Sequence, residues 1–122
     1  MKADNIAISD AELELMKVLW QAGEPLTAQQ VSERLPDKNW KYSTIATLFS
    51  RLVEKGAVAH QKQGRFFLYS PCIAEADYKA AQTRQFIGKL YGGSVKNLVA
   101  ALFENRQMSQ QDIDELKEKY HL

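Results

Sequence analysis

From Trp40 to Arg65 the chain reads WKYSTIATLFSRLVEKGAVAHQKQGR: a helix pattern, a glycine stop and a short basic hairpin in immediate succession, an order that few folds accommodate. On a helix, Ile45, Leu48, Phe49 and Leu52 fall at i, i+3, i+4 and i+7 and form one apolar stripe for a core. At about 100° per residue, the opposite direction holds Ser43, Ala46, Thr47, Ser50 and Glu54, with Thr44 and Arg51 on one flank. Short hydroxyls and a methyl let a helix backbone approach base edges. There Ser and Thr donate or accept, Ala meets a thymine methyl, and an Arg at the margin reaches phosphate. On an isolated helix the same face would better suit water, with Arg51 and Glu54 paired at i, i+3. The residues just after this helix favour the first reading. Lys55-Gly56 ends the helix with a cation in the last turn and a residue free to take positive φ. Val58 to Lys62 and Phe66 to Ser70 then read as two strands around Gln63-Gly64. Lys41, Arg51, Lys55, Lys62 and Arg65 face Glu54 alone, in a chain whose formal net charge is only +1. Helix, glycine, then basic hairpin is the layout in which a helix enters the major groove and a wing meets the backbone beside it.

Upstream, Ser9-Asp10-Ala11-Glu12 is a capping-box sequence opening a helix that runs through Leu13, Met16, Val18, Leu19 and Trp20 to about Ala22, with Gly23 closing it. Pro25-Leu26 is a short extended link able to add one brief strand to the hairpin. Thr27-Ala28-Gln29-Gln30 is a second capping box, opening a helix to Leu35, and Pro36 to Asn39 is a turn. Helix, link, helix, turn, helix is a helix-turn-helix with its third helix as reader.

Beyond Pro71 the strand signal disappears. Helical segments are expected at about Ala74 to Leu90, Val95 to Glu104 and Gln110 to Tyr120, punctuated by Gly92-Gly93 and Asn105 to Ser109. Val95, Leu98, Val99, Leu102 and Phe103 form a stripe at helical spacing, and so do Ile113, Leu116 and Tyr120. Some 50 residues of amphipathic helix bury such faces poorly alone, so this half is expected to form a homodimer; folding back onto residues 1–70 is the alternative. The chain therefore reads as mainly α with a small β-hairpin: a winged helix-turn-helix domain over residues 1–71 and a helical dimerisation domain over 72–122.

Chemistry is sparse. Gly92-Gly93 lacks the preceding strand and third glycine of a phosphate loop, and no nucleophile elbow occurs. His60 and His121 have no carboxylate or thiol at ligand spacing, so no metal or cofactor is expected. Asp112, Asp114, Glu115 and Glu118 read as a solvated helix face with favourable first-turn charge. Cys72 is the only cysteine, which fits a reducing compartment, and neither an apolar leader nor a run of ~18 apolar residues occurs. A soluble, cytoplasmic protein without catalytic residues is the expectation.

ISDAELELMKVLW at Ile8 to Trp20, TIATLFSRLVEKGAV at Thr44 to Val58, GRFFLYSP at Gly64 to Pro71 and DIDELK at Asp112 to Lys117 together resemble the penicillinase-repressor family. The resemblance implies a homodimeric repressor whose winged helix binds an inverted-repeat operator in double-stranded DNA. By position, its contacts would be Ser43, Thr44, Ala46, Thr47 and Arg51 on the helix at 43–55, Lys41 just before it, and Lys62 and Arg65 on the wing. The dimer would be formed through Val95, Leu98, Val99, Leu102, Phe103, Ile113 and Leu116. Many members open the reader helix with Ser-Pro where this chain has Lys41-Tyr42, which makes Ser43 the candidate cap. No cysteine follows Cys72, unlike the copper-responsive relatives with their C-terminal Cys-x-Cys motifs. In β-lactam-responsive members a sensor-protease partner triggers cleavage at an Asn-Phe bond; by position that bond falls at Ala101-Leu102, a different pair. A winged helix that contacts a protein partner instead of an operator is the competing reading, and the basic set from Lys41 to Arg65 is what favours DNA.

Overall fold

The computed structural model describes residues 6–122. Helix α1 (Asp10–Ala22) is followed by α2 (Ala28–Glu33), a 3₁₀ turn at Pro36–Lys38 and α3 (Tyr42–Glu54). Strands β1 (Val58–Gln63) and β2 (Phe66–Pro71) form the hairpin, and α4 (Glu75–Tyr91), α5 (Val95–Glu104) and α6 (Gln110–Tyr120) complete the chain. Two compact units result, one closing at Ala81 and the other running Gln82–Leu122.

Local chemistry sets the helix boundaries. Ser9 and Glu12 form a reciprocal capping box, as do Thr27 and Gln30, and Gly23 closes α1 at φ 68°. Helix α2 stops at Glu33, short of the expected Leu35, with Arg34 as its C-cap. The expected cap at Ser43 is corrected: α3 starts a residue earlier, at Tyr42, and Lys41 in an extended conformation is its N-cap, without a side-chain capping bond. Extended backbone at Lys41 suffices to start the helix, so Ser43 is already in the first turn. Strand pairing aligns Val58 with Pro71 and Gln63 with Phe66, which moves the loop from Gln63-Gly64 to Gly64-Arg65. Gly64, at φ 62°, occupies the first central position, where the tight II′ hairpin turn places glycine. The brief strand anticipated at Leu26 is a single bridge to Tyr69, with paired N–H···O bonds of 3.0 and 2.8 Å.

The first unit's core joins Leu15, Met16 and Leu19 of α1, Val31 of α2, Ile45, Phe49 and Leu52 of α3, and Val58 and Tyr69 of the hairpin. Phe49 and Tyr69 stack at 3.9 Å with rings nearly parallel, fixing the hairpin against α3. Full burial of each large apolar side chain here stabilises by roughly 1.5–3 kcal/mol. Division after Ala81 comes later than the boundary expected at residue 71, because Ile73, Tyr78 and Ala81 are buried in this core. Trp20 secures that segment by donating its indole N–H to the Ile73 carbonyl at 2.8 Å, with Tyr78 5.8 Å from its ring.

Within the second unit, Ser94 caps α5, and Ser109 and Asp112 form a third capping box at the start of α6. Neither α5 nor α6 has a buried residue. Val95, Val99, Phe103 and Leu116 are exposed, while Leu98, Leu102 and Ile113 are half-buried.

Candidate nucleic-acid interface

Packing of Ile45, Leu48, Phe49 and Leu52 into the core turns one face of α3 inward, so that Ser43, Thr44, Thr47, Ser50 and Arg51 are exposed and Ala46 is half-buried. Ser43, Thr44, Thr47 and Arg51 line a shallow open concavity floored by Leu48. Among the described residues, no side chain from Tyr42 to Glu54 makes a hydrogen bond or an ion pair, and the Arg51–Glu54 pairing of a merely solvated face does not form. A row of unengaged hydroxyls beside an unengaged guanidinium is what hydrogen bonding to base edges and phosphates requires. Lys41 is exposed immediately before the helix.

Lys62, paired in register with Phe67, and Arg65, within the turn, are both exposed on the hairpin. Two features here carried no signal in the charge pattern. Phe66 and Phe67 are 56% and 40% exposed, and His60 stacks on Phe67 with ring centroids 4.7 Å apart. Alternating burial along a strand would have hidden one of the two phenyl rings, but the hairpin projects beyond the core and leaves both out.

Lys55 does not belong with the free cations. Its Nζ donates to Glu12 Oε1 at 2.5 Å and to the Ala7 carbonyl at 2.8 Å. Glu12 is only 1% exposed and also accepts the Ser9 N–H at 2.9 Å. Burial pushes the Glu12 carboxyl up, but the Lys55 ammonium and the hydrogen bonds from Ser9 outweigh it, so the group lies below its ordinary value of 4.5. Lys41, Arg51, Lys62 and Arg65 are left as the cations of this surface.

Among the described residues, no three His, Cys, Asp or Glu side chains gather as a metal site, and no helix is long and apolar enough to cross a membrane. Of the expected dimer residues, Val95, Leu98, Val99, Leu102 and Phe103 share α5, while Ile113 and Leu116 lie on α6.

The sequence profile of the family described as penicillinase repressor matches residues 8–121. The penicillinase repressor of Bacillus licheniformis is 40% identical over 109 residues, 89% of this chain and 85% of its own. The methicillin resistance regulatory protein MecI of Staphylococcus aureus (strain N315) is 34% identical over 110 residues, covering 90% of this chain and 89% of that one. Among solved structures, the DNA-binding domain of the repressor BlaI in solution is similar with a TM-score of 0.51 at 46% identity, covering 58% of this chain and 87% of that one.

Proposed function

Because the chain belongs to the penicillinase-repressor family, we propose that it is a transcriptional repressor that binds an operator in double-stranded DNA as a homodimer. The observation that carries this is the unengaged polar face of α3, flanked by the cations of the hairpin. Ser43, Thr44, Ala46 and Thr47 meet base edges in the major groove. Lys41, Arg51, Lys62 and Arg65 neutralise phosphates on either side. One reader helix covers only a few base pairs, so a two-fold symmetric pair, about one helical turn or a multiple apart, is needed for useful affinity. Residues Val95, Leu98, Val99, Leu102, Phe103, Ile113 and Leu116 supply the self-complementary apolar surface for that pair. Family members are repressors and not enzymes, and the same role is proposed here, acting in the cytoplasm without cofactor.

Relief of repression through a sensor-protease partner would act on Ala101-Leu102. That bond lies inside α5 between two half-buried residues, so a protease reaches it only when α5 opens.

Exposed Phe66 and Phe67 favour a second reading, in which the hairpin docks on a protein. A salt series separates the two. With duplexes selected from a random pool, replacing Lys62 and Arg65 by Ala should weaken binding to selected and random DNA alike and lower the salt slope by about one unit for each. Absence of any duplex binding by the wild type at moderate salt would overturn the operator reading. An unchanged slope in the double variant would remove the wing from the interface.

A further inference from the structure

Lys55 marks the end of α3, and its ammonium is held by α1 and the segment before it instead of facing a phosphate. We propose that the Glu12–Lys55 ion pair is a positioning device. It fixes the C-terminal end of α3 against the start of α1, and so sets the pose in which the Ser43-to-Arg51 face meets the operator, while neither residue touches DNA. The inference rests on the operator reading above.

Three observations support it. First, this is the one polar tie at the reader helix: no side chain from Tyr42 to Glu54 makes a hydrogen bond or ion pair among the described residues, and the N-cap Lys41 makes no side-chain capping bond. Second, the carboxylate is itself oriented. Glu12 Oε1 accepts the Ser9 N–H at 2.9 Å while the Ser9 hydroxyl accepts the Glu12 N–H at 3.2 Å, so the group that grips Lys55 is locked to the first turn of α1. Third, the remaining contact between α1 and α3 is a shared apolar core of Leu15, Met16, Leu19, Ile45, Phe49 and Leu52. Apolar attraction is non-directional and resists small rotations or slips of a helix weakly. Hydrogen bonds to base edges, by contrast, are confined to about 2.7–3.2 Å and fail on small displacements. A directional contact spanning 43 residues of sequence supplies the missing constraint. Stability alone does not account for a carboxylate that is 1% exposed, because a buried ion pair is often no better than apolar residues of similar volume.

The test is the double variant Glu12→Gln/Lys55→Met in the full chain. Gln keeps the capping box and Met keeps the aliphatic stem, so both charges leave together and no unpaired charge is buried. Thermal midpoint, affinity for a selected duplex, affinity for a random duplex and the salt slope are measured beside the wild type. The expected result is a folded protein with unchanged random-duplex affinity and unchanged salt slope, and a selected-duplex affinity about tenfold weaker or more. Should the double variant fail to fold, Glu12→Gln alone leaves an ammonium whose side chain is 35% exposed and able to hydrate; the same comparison then applies, with a loss of about threefold or more expected. Unchanged discrimination in a folded variant would make the pair merely structural and overturn the proposal. A salt slope lowered by about one unit would overturn it too, by making Lys55 a phosphate contact. A wild type that prefers no duplex would instead sink the operator reading, a distinguishable failure.

Discussion

Thr47 lies near the middle of the exposed face of α3, with no hydrogen-bond partner for its hydroxyl among the described residues. Thr47→Val keeps its shape and removes the hydroxyl. It should therefore cost about 1–3 kcal/mol on the preferred duplex and little on a random one, as titrations on both would register. Glu12 has a different signature, because its lowered pKa makes it a stability group. A carboxyl whose folded pKa is depressed contributes stability that is present above its unfolded value, here 4.5, and is lost as pH falls through the lower folded value. The gap in thermal midpoint between the wild type and Glu12→Gln should accordingly be full at pH 7 and close progressively below about pH 4.5; a gap independent of pH would contradict the assignment. These two residues differ equally in how legible they were. Thr47 followed from helical period alone, since Ile45 and Leu52 define the opposite side. The engagement of Lys55 with Glu12 did not, because the partner lies 43 residues away and a count of charges cannot tell a paired cation from a free one.

Each element was legible where its signal is local. Capping boxes at Ser9 and Thr27, the glycine stops and the three later helices depend on residues within four positions of one another and fell where expected. The start of α3 was misplaced because backbone conformation at Lys41, not a side-chain oxygen at Ser43, begins it. Ile73, Tyr78 and Ala81 are buried in the first unit's core, where Trp20 meets the Ile73 carbonyl across 53 residues of sequence, a contact that periodicity cannot reveal. The hairpin provides the test at this scale. Gly64 stands at φ 62° with open space where a Cβ would go, so Gly64→Ala meets no clash and only the backbone penalty of about 1–2 kcal/mol. That penalty should fall on the turn that presents Arg65. Lower amide protection confined to the hairpin and weaker duplex binding, with the core's protection intact, is the expected outcome in hydrogen exchange and gel shift.

At the level of the whole molecule, the apolar stripe on α5 is the feature with the largest consequence. Leu102→Asp would place an unpaired carboxylate in the proposed dimer interface at a cost of several kcal/mol. The wild type should sediment as a dimer and bind a two-fold symmetric site. The variant should sediment as a monomer, keep the first unit folded, and retain only weak nonspecific binding. A wild type that is monomeric at tens of micromolar would contradict the assignment of this surface, and so would a variant that stays dimeric with unchanged affinity. If Val95, 60% exposed, and Phe103, 46% exposed, are covered by a second protomer as proposed, the protein's behaviour is also tied to its abundance. While protomers are scarce, mass action would make the population of the proposed dimer rise as the square of chain concentration. Occupancy of an operator by the proposed dimer would then answer steeply to synthesis and dilution: halving the chain would leave about a quarter of the dimer, so cell growth alone would amplify any interruption in supply.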